Sequence, residues 1–311
     1  MGLFRTFAQQ HRRVFACRGC LRIVFSQSKN RFSLDQKFTL LRRQLSACYS
    51  EREAHAVALR VLEDAFDVSR TDVYADKVRK FSSDDEHRLQ HISERLCAGE
   101  PLQYVLGEAA FCGHRFGVAP GVLIPRPETE ELVAWVERHV SGACRILDAG
   151  TGSGCIAVSL ALALPEARVQ AWDVSPDALA VARANAERLG AQVDFRLCDM
   201  LTARPEECFD VVVSNPPYVC EHERSDMSRQ VLEHEPSLAL FVPDDDPLRF
   251  YRALADLSGQ SLVSGGLLAV EINEAYGVET AELFRRSGFV EVQTLCDFCD
   301  KPRFVVGRKG V

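Results

Sequence analysis

The chain has 311 residues, 47% hydrophobic and 26% charged, which suits a globular protein with room for two domains. Its net charge of −7 is uneven: residues 1–34 hold six Arg and one Lys without an acid, and the remainder carries −14. An acidic body argues against a broad nucleic-acid surface, because that affinity rests on Lys and Arg neutralising phosphates. No apolar run approaches the roughly 18 residues of a bilayer span.

Residues 1–34 are Arg-rich, contain Ser and lack the continuous apolar centre of a secretory signal. That is the pattern of a mitochondrial transit peptide, so a matrix location is expected. A disordered basic tail is the plainer alternative. Twelve Cys are scattered along the chain. With no secretory signal, reduced thiols are expected. Of two Cys-x-x-Cys pairs, Cys17/Cys20 falls in the basic segment, leaving Cys296/Cys299. One pair is too few for a four-ligand zinc site, so no metal is expected.

Residues 35–105 read as a helical bundle. Leu34, Phe38, Leu41, Leu45 and Cys48 recur at spacings of three and four, and Val57, Val61, Leu62 and Ala65 continue the stripe. Ser83-Asp-Asp-Glu86 reads as a capping box for a helix carrying Leu89, Ile92 and Leu96, which Gly99 and Pro101 stop. Residues 106–127, rich in Gly and Pro, read as a hairpin linker.

From residue 128 strands and helices alternate. Strands are expected at 145–150, 168–174, 193–200, 209–215 and 267–273, with two more joined by a turn near Asp300 and Lys301. The pattern implies an α/β, doubly wound, mainly parallel sheet, whose ligands bind at the carboxyl ends of its strands.

Those ends carry the chemistry. The first runs into Asp148-Ala-Gly150-Thr151-Gly152-Ser153-Gly154. Its glycines allow tight turning and close approach to a ligand. The spacing is not the Gly-x-Gly-x-x-Gly of dinucleotide binders. Asp173 ends the second strand, where an acid can accept ribose hydroxyls, although it could equally cap the following helix. Asp199 and Met200 end the third; a carboxylate there can accept an adenine amine while Met packs on the ring. The fourth ends in Asn215-Pro216-Pro217-Tyr218. Proline cannot continue a ladder, so the Asn215 and Pro216 carbonyls stay free beside the Asn215 amide oxygen. Tyr218 adds a flat wall. Such an acceptor cluster suits a planar substrate bearing an NH2 group.

Together, the glycine loop, the two acids and Asn-Pro-Pro-Tyr resemble class I S-adenosylmethionine-dependent methyltransferases that act on planar nitrogen. Residues 101–133, with IPRPETE, resemble the linker of the HemK/PrmC family, protein-(glutamine-N5) methyltransferases of class 1 peptide-chain release factors. The likeness spans nearly all of residues 35–308. It implies a seven-stranded sheet of order 3-2-1-4-5-7-6 with strand seven antiparallel, and S-adenosylmethionine as cofactor. It implies that Gly150–Gly154, with Thr151 and Ser153, wrap the methionine part of the cofactor, with Asp148 near it. Asp173 would hold the ribose, and Asp199 and Met200 would flank the adenine. Asn215, Pro216, Pro217 and Tyr218 would hold the substrate glutamine. A monomer with a release-factor partner, no direct nucleic acid and no membrane is expected. Two segments depart from the family pattern: FVPDDDPL at 241–248 replaces a Gly-Gly-x-x-Gly-Leu run, and EINEAYG at 271–277 replaces Glu-Ile-Gly. A nucleic-acid methyltransferase sharing Asn-Pro-Pro-Tyr, and an inactive homologue that only binds, are the alternatives.

Overall fold

The computed structural model describes residues 33–311. Nearly all of the basic segment read as a transit peptide lies outside the described residues. Its last two residues do not. Ser33 caps α1 (Leu34–Leu45) through a capping box with Gln36, and Leu34 is buried in the bundle core. The helical region therefore starts ahead of residue 35.

The bundle continues with α2 (Glu51–Phe66), α3 (Arg70–Tyr74), α4 (Ser83–Cys97) and α5 (Leu102–Leu106). Its core is the predicted stripe: Leu34, Phe38, Leu41 and Leu45 face Leu62, Leu89, Ile92 and Leu96. Cys48 lies outside it, exposed after α1 has ended. The box of α4 sits one residue earlier than predicted, on Ser82 and Asp85. Glu86 is engaged elsewhere, as the ion-pair partner of the buried Lys37. A short hairpin, β1 (Glu108–Phe111) and β2 (His114–Gly117), then leads to α6 (Pro127–His139), whose first residue is a proline, where the missing N–H costs nothing.

The C-terminal half alternates as expected: β3 (Arg145–Ala149), α7 (Cys155–Ala163), β4 (Arg168–Asp173), α8 (Pro176–Leu189), β5 (Val193–Leu197) and β6 (Phe209–Ser214). Beyond β6 come a two-residue β7 (Val219–Cys220), α9 (Arg229–His234) and β8 (Phe241–Val242). Then follow α10 (Arg249–Ser261), β9 (Leu262–Glu271), α11 (Gly277–Arg286), β10 (Phe289–Cys296) and β11 (Pro302–Lys309). The seven-stranded sheet has the order β10-β11-β9-β6-β3-β4-β5. Counted by sequence among these seven, that is 3-2-1-4-5-7-6 read from the β5 edge. The strands from β5 to β9 are parallel, and β11 runs antiparallel to both neighbours. Central strands read as apolar runs because helices cover both faces: Ile146, Val211 and Val213 pack on one side, Leu147, Val212 and Leu268 on the other. Among the described residues no helix is long and apolar enough to cross a membrane. Cys296 and Cys299 are exposed free thiols.

Two strands differ from the sequence reading by more than one residue. β5 stops at Leu197, because Asp199 turns back to accept the N–H of Leu201 at 2.9 Å. β9 spans Leu262–Glu271, beginning five residues earlier than predicted and ending two earlier.

Candidate active site

Because β3, β4, β5 and β6 are parallel neighbours, their carboxyl ends open on one side of the sheet. A cavity of about 370 Å³ lies there. Gly150, Thr151, Gly152 and Ser153 line it from the loop after β3. Asp173 contributes from the end of β4, Asp199 and Met200 from beyond β5, and Asn215 and Pro217 from beyond β6. Two further walls come from the linker, residues 121–126, and from the Pro236–Ala239 segment.

The glycine loop is tied to β4: the N–H groups of Gly150 and Thr151 both donate to the Trp172 carbonyl, at 2.8 and 2.9 Å. Gly150 has φ +80°, and a Cβ there would come within 2.7 Å of Met200 Cε, so the glycine lets the loop and Met200 meet. Asp173 receives the Gly152 and Ser175 N–H groups, each at 2.8 Å, so it braces the loop and turns the chain into α8. The cap of α8 is Ser175. Burial raises the Asp173 carboxyl above its ordinary value, against backbone N–H groups that draw it down.

Four of the predicted residues do not line the cavity. Asp148 is fully buried behind the loop, where one oxygen accepts from Thr151 Oγ1 at 2.6 Å and from the Ala157 N–H at 3.2 Å. Its Oδ1 has no partner among the described residues, and burial pushes the group up to about 7. Gly154 caps the start of α7 at φ +81°, packed on Ala182. Pro216 is buried, and no donor among the described residues reaches its carbonyl. Tyr218 forms no wall of the cavity. Its hydroxyl donates to Glu271 Oε1 at 3.1 Å, and burial raises its pKa far above the ordinary phenol value, so it stays protonated.

Sequence reading missed the groups that hold Asn215. Asn215 Nδ2 donates to Thr129 Oγ1 at 3.0 Å, and Thr129 donates to Glu271 Oε2 at 2.7 Å. Thr129 lies within IPRPETE, and Glu271 is an acid ending an apolar strand; that acid was the available signal. Glu235 was missed as well. It is buried and accepts from the Ile124 N–H at 3.2 Å and from Arg126 at 2.7 Å, pinning the linker across the cavity.

The departing segments support the same edge. Phe241 and Val242 pair in parallel with Val219 and Cys220, and Asp244 accepts from the His222 N–H at 3.0 Å. Asn273, where the family pattern has Gly, donates to the Tyr218 carbonyl at 3.1 Å.

Two family models match the chain, a PrmC N-terminal domain over residues 38–107 and a methyltransferase small domain over residues 128–237. The release factor glutamine methyltransferase of Bacteroides thetaiotaomicron is 45% identical over 271 residues, covering 86% of this chain and 98% of that protein. This chain belongs to the release factor glutamine methyltransferase family. The Flavobacterium psychrophilum member is 39% identical, covering 84% of this chain and 94% of its own. A solved Pyrococcus furiosus methyltransferase shares the fold, at TM-score 0.50 and 18% identity, covering 74% of this chain and all of that one. As a member of the family, the protein is an S-adenosylmethionine-dependent methyltransferase. Its residues fit that cofactor: carboxylates at two strand ends, a glycine loop, an apolar Met200, and an unpaired buried Asp148 oxygen suited to a nearby cationic group.

Proposed function

We propose that the protein methylates the side-chain amide nitrogen (N5) of the glutamine in the Gly-Gly-Gln motif of a class 1 peptide-chain release factor. The observation that carries this reading is Asn215, anchored through its NH2 end at the cavity wall and left with its amide oxygen free to accept. A primary amide offers two N–H donors. In this reading the Asn215 oxygen takes one. The Pro216 carbonyl, which no donor among the described residues occupies, takes the other. Because Pro216 does not line the cavity, the substrate amide must reach past the Asn215 and Pro217 wall to meet it.

The backbone of Gly150–Ser153 would hold the methionine part of the cofactor, with Asp148 behind the loop and Gly154 setting the turn into α7. Asp173 would accept from the ribose, and Asp199 and Met200 would flank the adenine. Bound S-adenosylmethionine supplies an electrophilic methyl group on a sulfonium. The chain's own contribution is positional. An amide lone pair is delocalised into its carbonyl; two acceptors that grip the N–H bonds turn it toward the methyl group and stabilise positive charge growing on nitrogen. That proton becomes acidic only as the new bond forms, so no strong general base is required.

The test combines residues 33–311, tritiated S-adenosylmethionine and a purified release factor, with a Gln→Ala motif control and duplex DNA in parallel. Label confined to the motif glutamine supports the reading. Label in DNA would move the assignment to a nucleic-acid methyltransferase, which the −14 body disfavours. Cofactor binding without any product would leave an inactive homologue.

For location, the supporting observation is the acid-free +7 composition of residues 1–34. The proposed targeting segment ends before Ser33, since Ser33 and Leu34 serve the bundle. Import of a reporter carrying residues 1–32 into isolated mitochondria tests this; exclusion would point to a bacterial setting like that of the curated relatives. We further propose a monomer, to be checked by sedimentation.

A further inference from the structure

An asparagine amide can face a site with either end. The oxygen accepts, the NH2 donates, and the two are so alike in size that hydrogen bonds rather than packing choose between them. In this protein the choice is made by two residues outside Asn-Pro-Pro-Tyr. Thr129 Oγ1 stands between Asn215 Nδ2, at 3.0 Å, and Glu271 Oε2, at 2.7 Å. A hydroxyl carries a single proton. An ionised carboxylate only accepts, so Thr129 gives its proton to Glu271 and keeps lone pairs alone for Asn215. Asn215 must then meet Thr129 with its NH2 group. Its oxygen is left for the cavity that it lines. Tyr218 satisfies the other Glu271 oxygen at 3.1 Å.

We propose that Glu271 and Thr129 are positioning residues for methyl transfer: the ionised Glu271 orients the Thr129 hydroxyl, which obliges Asn215 to present an acceptor to the substrate amide. The proposal rests on Asn215 being the residue that holds that amide.

A pH dependence follows. Glu271 is almost completely buried. It is faced by Glu128 and Thr129 from α6, Tyr218 beyond β6, Tyr251 from α10 and Arg303 from β11. Burial dominates and raises the carboxyl to about 7. The Thr129 and Tyr218 hydrogen bonds and the Arg303 charge pull it down, while Glu128 pushes it up. Arg303 is itself paired with Asp297 at 3.0 Å. Once protonated, Glu271 becomes a donor. When it donates to Thr129, the threonine proton turns to Asn215, the amide flips, and NH2 faces the NH2 of the substrate. Turnover therefore falls as pH drops through about 7, with a limb of one proton. Asp148 also sits at about 7, so the source of the limb must be separated.

The experiment has two readouts on full-length protein labelled with 15N-asparagine. The Asn215 side-chain resonance, assigned by its loss in Asn215→Asp, is followed from pH 5.5 to 8.5 in wild type and Glu271→Gln. In parallel, kcat on the release factor is profiled for wild type, Glu271→Gln, Thr129→Val and Thr129→Ser, with cofactor affinity measured for each. Wild type should titrate in both readouts and Glu271→Gln in neither. Thr129→Val should lose about 10²-fold in kcat at unchanged cofactor affinity, the scale of one preorganised polar contact, and Thr129→Ser should restore it. A limb that persists in Glu271→Gln, or a near-normal Thr129→Val, overturns the proposal. An Asn215 resonance that titrates through Glu271 in a protein without release-factor activity would overturn the substrate reading and leave the relay standing.

Discussion

In the proposed reaction the chemistry turns on Asn215, because it offers the cavity an acceptor whose other end is fixed. Asn215→Ala removes it without enlarging the fold and should raise the barrier by about 2–4 kcal/mol, the range found for one preorganised donor or acceptor. Single-turnover labelling of the release factor reads this directly; near-normal turnover would remove Asn215 from its role. Asp148 and Glu271 add a residue-scale effect on stability. Burial holds both near 7 in the fold, against ordinary carboxylates near 4 in the unfolded chain. A raised carboxyl stabilises fully below the unfolded value, and that stability is lost as pH climbs through the folded one. Between pH 5.5 and 8 the cofactor-free protein should therefore lose roughly 2 kcal/mol for each of the two groups. Scanning calorimetry should show a lower Tm at pH 8, and Asp148→Asn and Glu271→Gln should each flatten the slope. A Tm that rises over this window would contradict the assignment.

Elements set these residues in place. The loop from β3 to α7 works because its glycines adopt left-handed backbone and because little space separates Gly154 from α8. A Cβ at Gly154, at φ +81°, would stand 3.0 Å from the Ala182 Cβ and 3.2 Å from its Cα, and neither atom is the end of a flexible side chain. Gly154→Ala should destabilise by about 1–3 kcal/mol and weaken cofactor binding, as urea unfolding and calorimetric titration would show. The linker depends on one carboxylate. Glu235→Ala strips the Ile124 N–H of its partner and leaves Arg126 unpaired, at a cost of about 1–3 kcal/mol for the buried donor. Its signature is faster hydrogen exchange in residues 121–126, with the seven-stranded sheet unchanged.

At the scale of the molecule, the bundle meets the catalytic half through Gln230 on Tyr49 at 3.0 Å, and meets the linker through Arg115 on Asp64 at 2.7 Å and Tyr104 on the Val122 carbonyl at 2.6 Å. The cavity, by contrast, draws its walls from the linker, four strand ends and the Pro236–Ala239 segment. Cofactor should therefore tighten the catalytic half and leave the bundle nearly untouched. At a hundredfold excess over Kd it should add about 2.7 kcal/mol of stability. Hydrogen-exchange protection should rise at 121–126 and 236–239 and not at 34–97; equal protection everywhere would show tighter coupling than these contacts suggest.

Strand–helix alternation, sheet class and the carboxyl-end location of the site were all legible in the amino-acid order. Periodicity and strand termination are local properties, and a glycine or proline acts on its own backbone. The bundle stripe from Leu34 to Leu45 is one such local pattern. The α4 capping box shows the limit: two overlapping boxes were spelled, and Lys37, 49 residues from Glu86, took one of them out of contention. Tyr218 shows it again, a ring expected on the cavity but drawn to Glu271. The polar relay was beyond local reading altogether. Thr129 lies 86 residues from Asn215 and 142 from Glu271. By itself the sequence determined which residues arrive at the ends of the strands. Which way each turns was decided by the tertiary structure, because a buried hydrogen bond goes to whatever partner packing brings within 3 Å, however distant in the chain.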